Sequence, residues 1–190
     1  MDVAGILKET GALLEGHFLL SSGLHSGGYV QCAKLLRFPD KAAQVLGVVV
    51  DQVKDLDFDL VCGPAIGGII VSYEMGRQLG KESIFTERVD NQMVLRRGFE
   101  VPKGSKVLIT EDILTTGKSS YECIDAILGF GCEVVGIACI ADRREAGTEL
   151  SLPVYSALKL EIKNYSPEAC LLCSEGKIEL EKPGSRKQSI

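Results

Sequence analysis

Val107-Leu108-Ile109-Thr110-Glu111-Asp112-Ile113-Leu114-Thr115-Thr116-Gly117-Lys118-Ser119 is the stretch that decides how this 190-residue chain folds. Its apolar run, Lys106 to Thr110, reads as a strand buried on both faces. The strand ends in two adjacent carboxylates. A Thr-Thr-Gly-x-Ser loop follows and opens a helix over Lys118 to Phe130, which Gly131 closes as a C-cap. Backbone N–H groups and hydroxyls at a helix N-terminus cradle an anion, and a phosphate suits them. Gly117 lets the backbone approach closely. Two acids just before such a cradle can hold sugar hydroxyls, or a Mg²⁺ through water.

Outward from this block the pattern alternates. Asp59-Leu60-Val61-Cys62-Gly63 reads as a second buried strand, Ser83 to Thr86 as a short third, and Glu133 to Ala141 as a β-branched fourth. Pro153 to Leu160 holds at least one more. Helical periodicity runs over Pro39 to Leu56 and Gly68 to Leu79, and also over Asp2 to Glu15, with Asp2 as the cap. His17 to Gly23 and Leu24 to Cys32 flank a Ser/Gly turn and read as a hairpin. Glu87 to Gly104 lacks a clean period and reads as a long loop, in part a β-ribbon. Strands alternating with helices imply an α/β fold with a mostly parallel sheet covered on both faces. In such sheets the ligand lies beyond the carboxyl ends of the strands, so the loops after Val61, Ile109 and Ile140 are where chemistry belongs.

Composition narrows the class. Apolar residues make up 45% and charged residues 25%, an ordinary globular balance that excludes a disordered, collagen-like or coiled-coil chain. The formal net charge of −5 argues against a sequence-blind nucleic-acid binder. No apolar stretch approaches the roughly 20 residues a membrane helix needs. Met1-Asp2-Val3 carries no basic leader before an apolar run, which with the 7 irregularly spaced cysteines predicts a reducing, cytoplasmic setting.

A second glycine-rich turn, Gly63-Pro64-Ala65-Ile66-Gly67-Gly68, follows the Leu60 strand and permits a tight backbone beside a ligand. Taken together, the Val107–Ser119 block resembles the phosphoribosyl-diphosphate (PRPP) motif of the type I phosphoribosyltransferases. The resemblance implies that Thr115, Thr116, Gly117, Lys118 and Ser119 bind the 5-phosphate of PRPP. Glu111 and Asp112 would hold the ribose hydroxyls, with Mg²⁺ carried by PRPP and met by these acids through water. Ala65, Ile66, Gly67 and Gly68 would form the pyrophosphate loop. Phe18-Leu19-Leu20-Ser21-Ser22-Gly23-Leu24-His25-Ser26 and Asp142-Arg143-Arg144-Glu145-Ala146-Gly147 resemble the two base-selecting blocks of the orotate phosphoribosyltransferases, closest to their Thermus-type subgroup. By that likeness Arg143 recognises the orotate carboxylate, which a planar guanidinium can bind through two N–H groups. Ser21, Ser22, Gly23, Tyr29 and Thr115 complete the base site.

The resemblance covers about residues 10 to 169. It implies a type I phosphoribosyltransferase fold with a hood over 1–38, a core over 39–165 and a C-terminal segment over 166–190. The implied reaction is orotate plus PRPP giving orotidine 5′-monophosphate and pyrophosphate in pyrimidine biosynthesis, with Mg²⁺, in a homodimer without nucleic-acid or membrane partners. Departures from the family pattern are local. Gly67 and Ser21 stand where many members carry Lys. The stretch Glu87 to Gly98, where the family has a mobile loop with Lys and His, has neither. Arg88, Arg96 and Arg97 are the cations available there to stabilise departing pyrophosphate, with Asp112 as the remaining catalytic candidate. The competing readings are a transferase for a purine or xanthine base, and a non-catalytic PRPP sensor. The two base blocks argue against the first. The charge, and the lack of room for a helix-turn-helix domain, argue against the second.

Cys62, Cys123, Cys132 and Cys139 read as small core residues, and Cys32 closes the hairpin. Cys170-x-x-Cys173 fits none of this. Half of a Cys₄ zinc site completed by a second subunit, a local disulfide or redox pair, and two plain thiols all stand open for it.

Overall fold

Strand alternation builds the core. In the computed structural model, which describes residues 1–20, 22–145 and 147–183, six strands form one sheet in the order β5-β4-β3-β6-β7-β8. These are β3 (Leu60–Pro64), β4 (Glu82–Val89), β5 (Gln92–Leu95), β6 (Lys106–Leu114), β7 (Glu133–Asp142) and β8 (Val154–Lys159). Four pairings are parallel, and β4–β5 alone is antiparallel. Successive side chains point to opposite faces, so Val61, Leu108 and Ile140 join one cluster while Cys62, Ile109 and Cys139 join the other. Helices α3 (Pro39–Val53) and α4 (Gly67–Leu79) cover the first face, and α5 (Lys118–Leu128) covers the second. With both faces buried, the strands can be apolar throughout.

The remaining elements form a smaller layer. Asp2 caps α1 (Val3–Glu9) by accepting from the Gly5 N–H at 2.8 Å. The helix stops well before Glu15, because Gly11 turns left-handed at φ +68° and Leu13 begins β1 (Leu13–Leu19). This strand pairs with β2 (His25–Val30), as the hairpin reading predicts. The short α2 (Ala33–Leu36) leads from it into α3. Returning chain completes the hood: β9 (Asn164–Tyr165) pairs with His25 and Ser26, and Glu181 bridges to Phe18 on the other edge. Between them lie a 3₁₀ turn (Pro167–Ala169) and α6 (Leu171–Glu175).

One local reading changes and another is sharpened. Strand β6 does not end at the acid pair but continues to Leu114, since Ile113 and Leu114 pair with Ala141 and Asp142. Part of the Glu87–Gly104 stretch is a tight hairpin: Asp90 and Asn91 both take positive φ, 48° and 64°, the geometry of a two-residue turn.

The Gly63–Gly68 turn is packed backbone to backbone. A Cβ on Gly63 would lie 2.2 Å from the Gly68 carbonyl oxygen, and one on Gly68 would lie 2.8 Å from the Pro64 ring. Gly63→Ala should therefore destabilise the chain by about 1–3 kcal/mol, the range of overpacked cores. Urea unfolding measures this, and a midpoint equal to that of the parent chain would contradict it.

Candidate functional site

The carboxyl ends of β3, β6 and β7 meet where the sheet passes under the hood. There a cavity of about 580 Å³ is lined by side chains of the hood and core, among them Ser22, Tyr29, Thr115, Thr116, Arg143 and Asn164. Beside it a smaller cleft of about 40 Å³ is lined by Glu111 and by the run Ile113 to Ser120. Ile113, Thr115 and Thr116 line both, so the two spaces adjoin.

The small cleft is built by the turn into α5. Gly117 holds φ +76° and is buried, which leaves the Thr115, Thr116, Lys118 and Ser119 positions exposed around it. The Lys118 N–H already leans on the Thr116 hydroxyl at 3.4 Å. The buried Ser120 hydroxyl has no partner among the described residues.

Glu111 is buried and lines the cleft, while Asp112 beside it is half-buried and lines neither space. Burial, and next the neighbouring Asp112 charge, push the Glu111 carboxyl up to about 9. Burial also raises Asp112, although the Ile113 N–H donates to it at 2.8 Å. The Asp112 carboxylate occupies the space a Cβ at position 67 would need, with Oδ2 2.3 Å from it. The turn Ala65, Ile66, Gly67, Gly68 thus abuts the acid pair directly. A cis peptide joins Ala65 to Ile66. On the other side the Cys32 thiol donates to the Asp112 carbonyl at 3.4 Å.

Arg143 is the cation of the larger cavity. Its Nη2 donates to the Ser26 hydroxyl at 2.8 Å and to the Asn164 side-chain oxygen at 3.1 Å. Its buried Nε has no partner, and burial lowers its pKa. The neighbouring Arg144 takes the bidentate pair with Asp142, at 2.9 and 2.7 Å. Glu145 accepts from Asn164, not from Arg143. Among the described residues, Arg143 has no carboxylate partner.

The other candidates sit differently. Ser21 lies outside the described residues. Gly23 is exposed at φ +84° on the hood turn and does not line the cavity. Arg88 is on β4 and Arg96 and Arg97 just follow β5, and none of the three lines either space. Arg88 pairs with Glu122 on α5, and Arg97 makes two 2.9 Å bonds to Glu87. Arg96 is held most loosely, 3.9 Å from the same Glu87. Asn164 and Gln31 also line the cavity, and sequence reasoning did not single them out. A two-residue strand such as β9 leaves no periodic signal that could place Asn164.

The profile of the phosphoribosyl transferase domain matches residues 37–171. An orotate phosphoribosyltransferase of Caldicellulosiruptor bescii is 49% identical over 183 residues, 96% of each chain. The crystal structure of an Aeropyrum pernix orotate phosphoribosyltransferase is similar with TM-score 0.69 and 24% identity, over 84% of this chain and 94% of that one. Leishmania donovani UMP synthase gives TM-score 0.72 and 22% identity, over 84% of this chain and 36% of that one. The two structures share the fold of this chain.

The acid pair gives the site a pH signature. Folded Glu111 keeps its proton up to about pH 9, against an ordinary value of 4.5. Between those values the folded chain binds more protons than the unfolded one, so its stability falls as pH rises. In chelator, melting temperature should drop across this window, and Glu111→Gln should flatten the drop. Superimposable pH profiles for the two chains would refute the assignment.

Proposed function

The chain belongs to the phosphoribosyl transferase family, and from that premise we infer that it is an orotate phosphoribosyltransferase. It transfers the 5-phosphoribosyl group of PRPP to orotate and releases orotidine 5′-monophosphate and pyrophosphate. The observation that carries the base assignment is Arg143, a half-buried guanidinium without a carboxylate partner on the wall of the larger cavity. A desolvated cation is costly unless an anion meets it. The orotate carboxylate is such an anion, and a neutral purine or uracil is not.

Each part of the site then has a task. The backbone and hydroxyls of Thr115, Thr116, Gly117, Lys118 and Ser119 hold the 5-phosphate at the N-terminus of α5. That places the ribose over Glu111 and Asp112, which accept its hydroxyl hydrogens. The turn Ala65 to Gly68 offers backbone N–H groups to the diphosphate. Mg²⁺ fits this donor set, because two adjacent carboxyl groups would offer it hard oxygen ligands once Glu111 gives up its proton. When bound with PRPP it neutralises charge on the departing pyrophosphate. No side chain need act as a nucleophile: the chain's residues fix orotate and ribose in line and exclude water. Arg88 and one of Arg96 and Arg97 supply further positive charge to the leaving group, once the hairpin gives up its present ion pairs. Arg96 has the least to give up.

The reaction belongs in the cytoplasm, in keeping with seven free thiols. Among the described residues no helix is long and apolar enough to cross a membrane. Ile66, just before α4, and Ile70 and Tyr73 on it are exposed apolar residues at helical spacing, and this supports a homodimer. Sedimentation velocity should give twice the chain mass, and Tyr73→Glu should shift it to one chain. A single-chain mass for the active parent would overturn this.

Phosphoribosyl transfer should be measured with orotate, uracil, hypoxanthine and xanthine. The parent chain should favour orotate. Arg143→Ala should lower kcat/KM for orotate by about 10²–10³-fold, the cost of removing one partner of a desolvated charge pair. The uracil rate should fall far less. An unchanged orotate-to-uracil ratio would sink the role of Arg143. In the same assay Arg96→Ala should lose more kcat than Arg97→Ala. Near-parental kcat/KM in both Arg88→Ala and Arg96→Ala would remove the hairpin from the mechanism.

A further inference from the structure

His17 and His25, eight residues apart in the hood hairpin, meet Cys170 and Cys173 of the C-terminal segment. Their nearest ligand atoms all lie within 4.8 Å of one another. His17 Nε2 is 3.1 Å from His25 Nδ1, 3.4 Å from the Cys170 sulfur and 3.6 Å from the Cys173 sulfur. Cys173 is 3.3 Å from His25 Nδ1. Zinc bonds of about 2.0–2.1 Å to nitrogen and 2.3 Å to sulfur put the corners of a tetrahedron roughly 3.3–3.8 Å apart. The four contacts fall in or just below that range.

The proton inventory points the same way. His17 Nδ1 lies 3.2 Å from the Ile178 carbonyl oxygen. A carbonyl only accepts, so Nδ1 carries the hydrogen and Nε2 of the neutral ring is a bare lone pair aimed at the other three groups. A histidine whose far nitrogen is tied to a backbone carbonyl is the usual second layer of a metal ligand. His17, His25 and Cys170 are buried at 2%, 5% and 4% exposure, while Cys173 remains exposed as a route of entry.

We propose that His17, His25, Cys170 and Cys173 form a Cys₂His₂ structural zinc site, contained within one chain and separate from the transferase site. Binding displaces the two thiol protons and closes a four-ligand shell. The site ties the start of α6, through its two cysteines, to the β1–β2 hairpin, through His17 on β1 and His25 on β2. Backbone bonds run alongside it, with the Glu181 N–H donating to the His17 carbonyl and the Leu19 N–H to the Glu181 carbonyl, both at 2.8 Å. Ser26, next to His25, holds Arg143. The zinc clasp thus fastens the strand that positions the base-site arginine.

The full chain, thiol-reduced and stripped with chelator, should be titrated with Zn²⁺ and separately with Co²⁺. The expected result is uptake of about one equivalent per chain, with Co²⁺ giving the intense visible bands of a tetrahedral site and a thiolate charge-transfer band. Zinc should raise the melting temperature of the parent chain and leave that of the double variant Cys170→Ser/Cys173→Ser unmoved. Should that variant fail to fold, the cobalt spectrum of the parent decides alone. Absence of stoichiometric uptake, or a cobalt spectrum without thiolate charge transfer, would overturn the proposal. A zinc effect on melting equal in parent and double variant would do so as well.

Discussion

Three glycines set how closely the sheet's loops can approach one another. Gly63 lies against the carbonyl of Gly68, Gly68 against the Pro64 ring, and Gly67 against the Asp112 carboxylate, with no room for a Cβ at any of the three. This closeness brings the turn after β3 onto the end of β6. Because β6 runs on to Leu114, the acid pair sits within a hydrogen-bonded strand and not on a free loop. Its position is therefore rigid, and the α5 turn starts from a fixed point.

Charge is distributed around that frame by which partners the backbone makes available. Asp142 and Arg144 neutralise each other in a bidentate pair, and Glu145 is occupied by Asn164. Arg143 is then oriented by neutral groups alone, Ser26, the Gly28 carbonyl and Asn164, and keeps its charge for a ligand. The acid pair is the mirror case, with two carboxylates buried together and each raised in pKa. The site thus has an unmatched cation at one end and, at the other, a pair of acids whose proton affinity is raised.

The hood depends on chain drawn from both ends. β1 and β2 alone would be a two-stranded hairpin, which is marginal in water. β9, the Glu181 bridge and the His17–His25–Cys170–Cys173 cluster add one layer at each edge and one across the face. Leu20, Ser22, Leu24 and Tyr29, which wall the cavity, ride on this small sheet.

Much of this was legible before any coordinates. Unbroken apolar runs at Val61, Ile109 and Ile137 announce doubly buried strands, since only a sheet covered on both faces tolerates them. The Val107–Ser119 block states its own chemistry because strand, acids and cradle are contiguous, so local geometry carries it. Period alone carries the first helix past Gly11, because it cannot tell a helix end from a strand start, and it leaves open where in Glu87–Gly104 the ribbon turns. What the sequence determined by itself is the chemistry whose parts are contiguous in the chain, as in Val107–Ser119. Only the tertiary structure decided that Asn164 steadies Arg143, that the hairpin arginines rest on Glu87 and Glu122, and that Cys170 and Cys173 meet His17 and His25. Those contacts span up to 156 positions of chain. Nothing in local spacing encodes them, because closing such loops is driven by burial of the whole core and not by the residues that happen to meet.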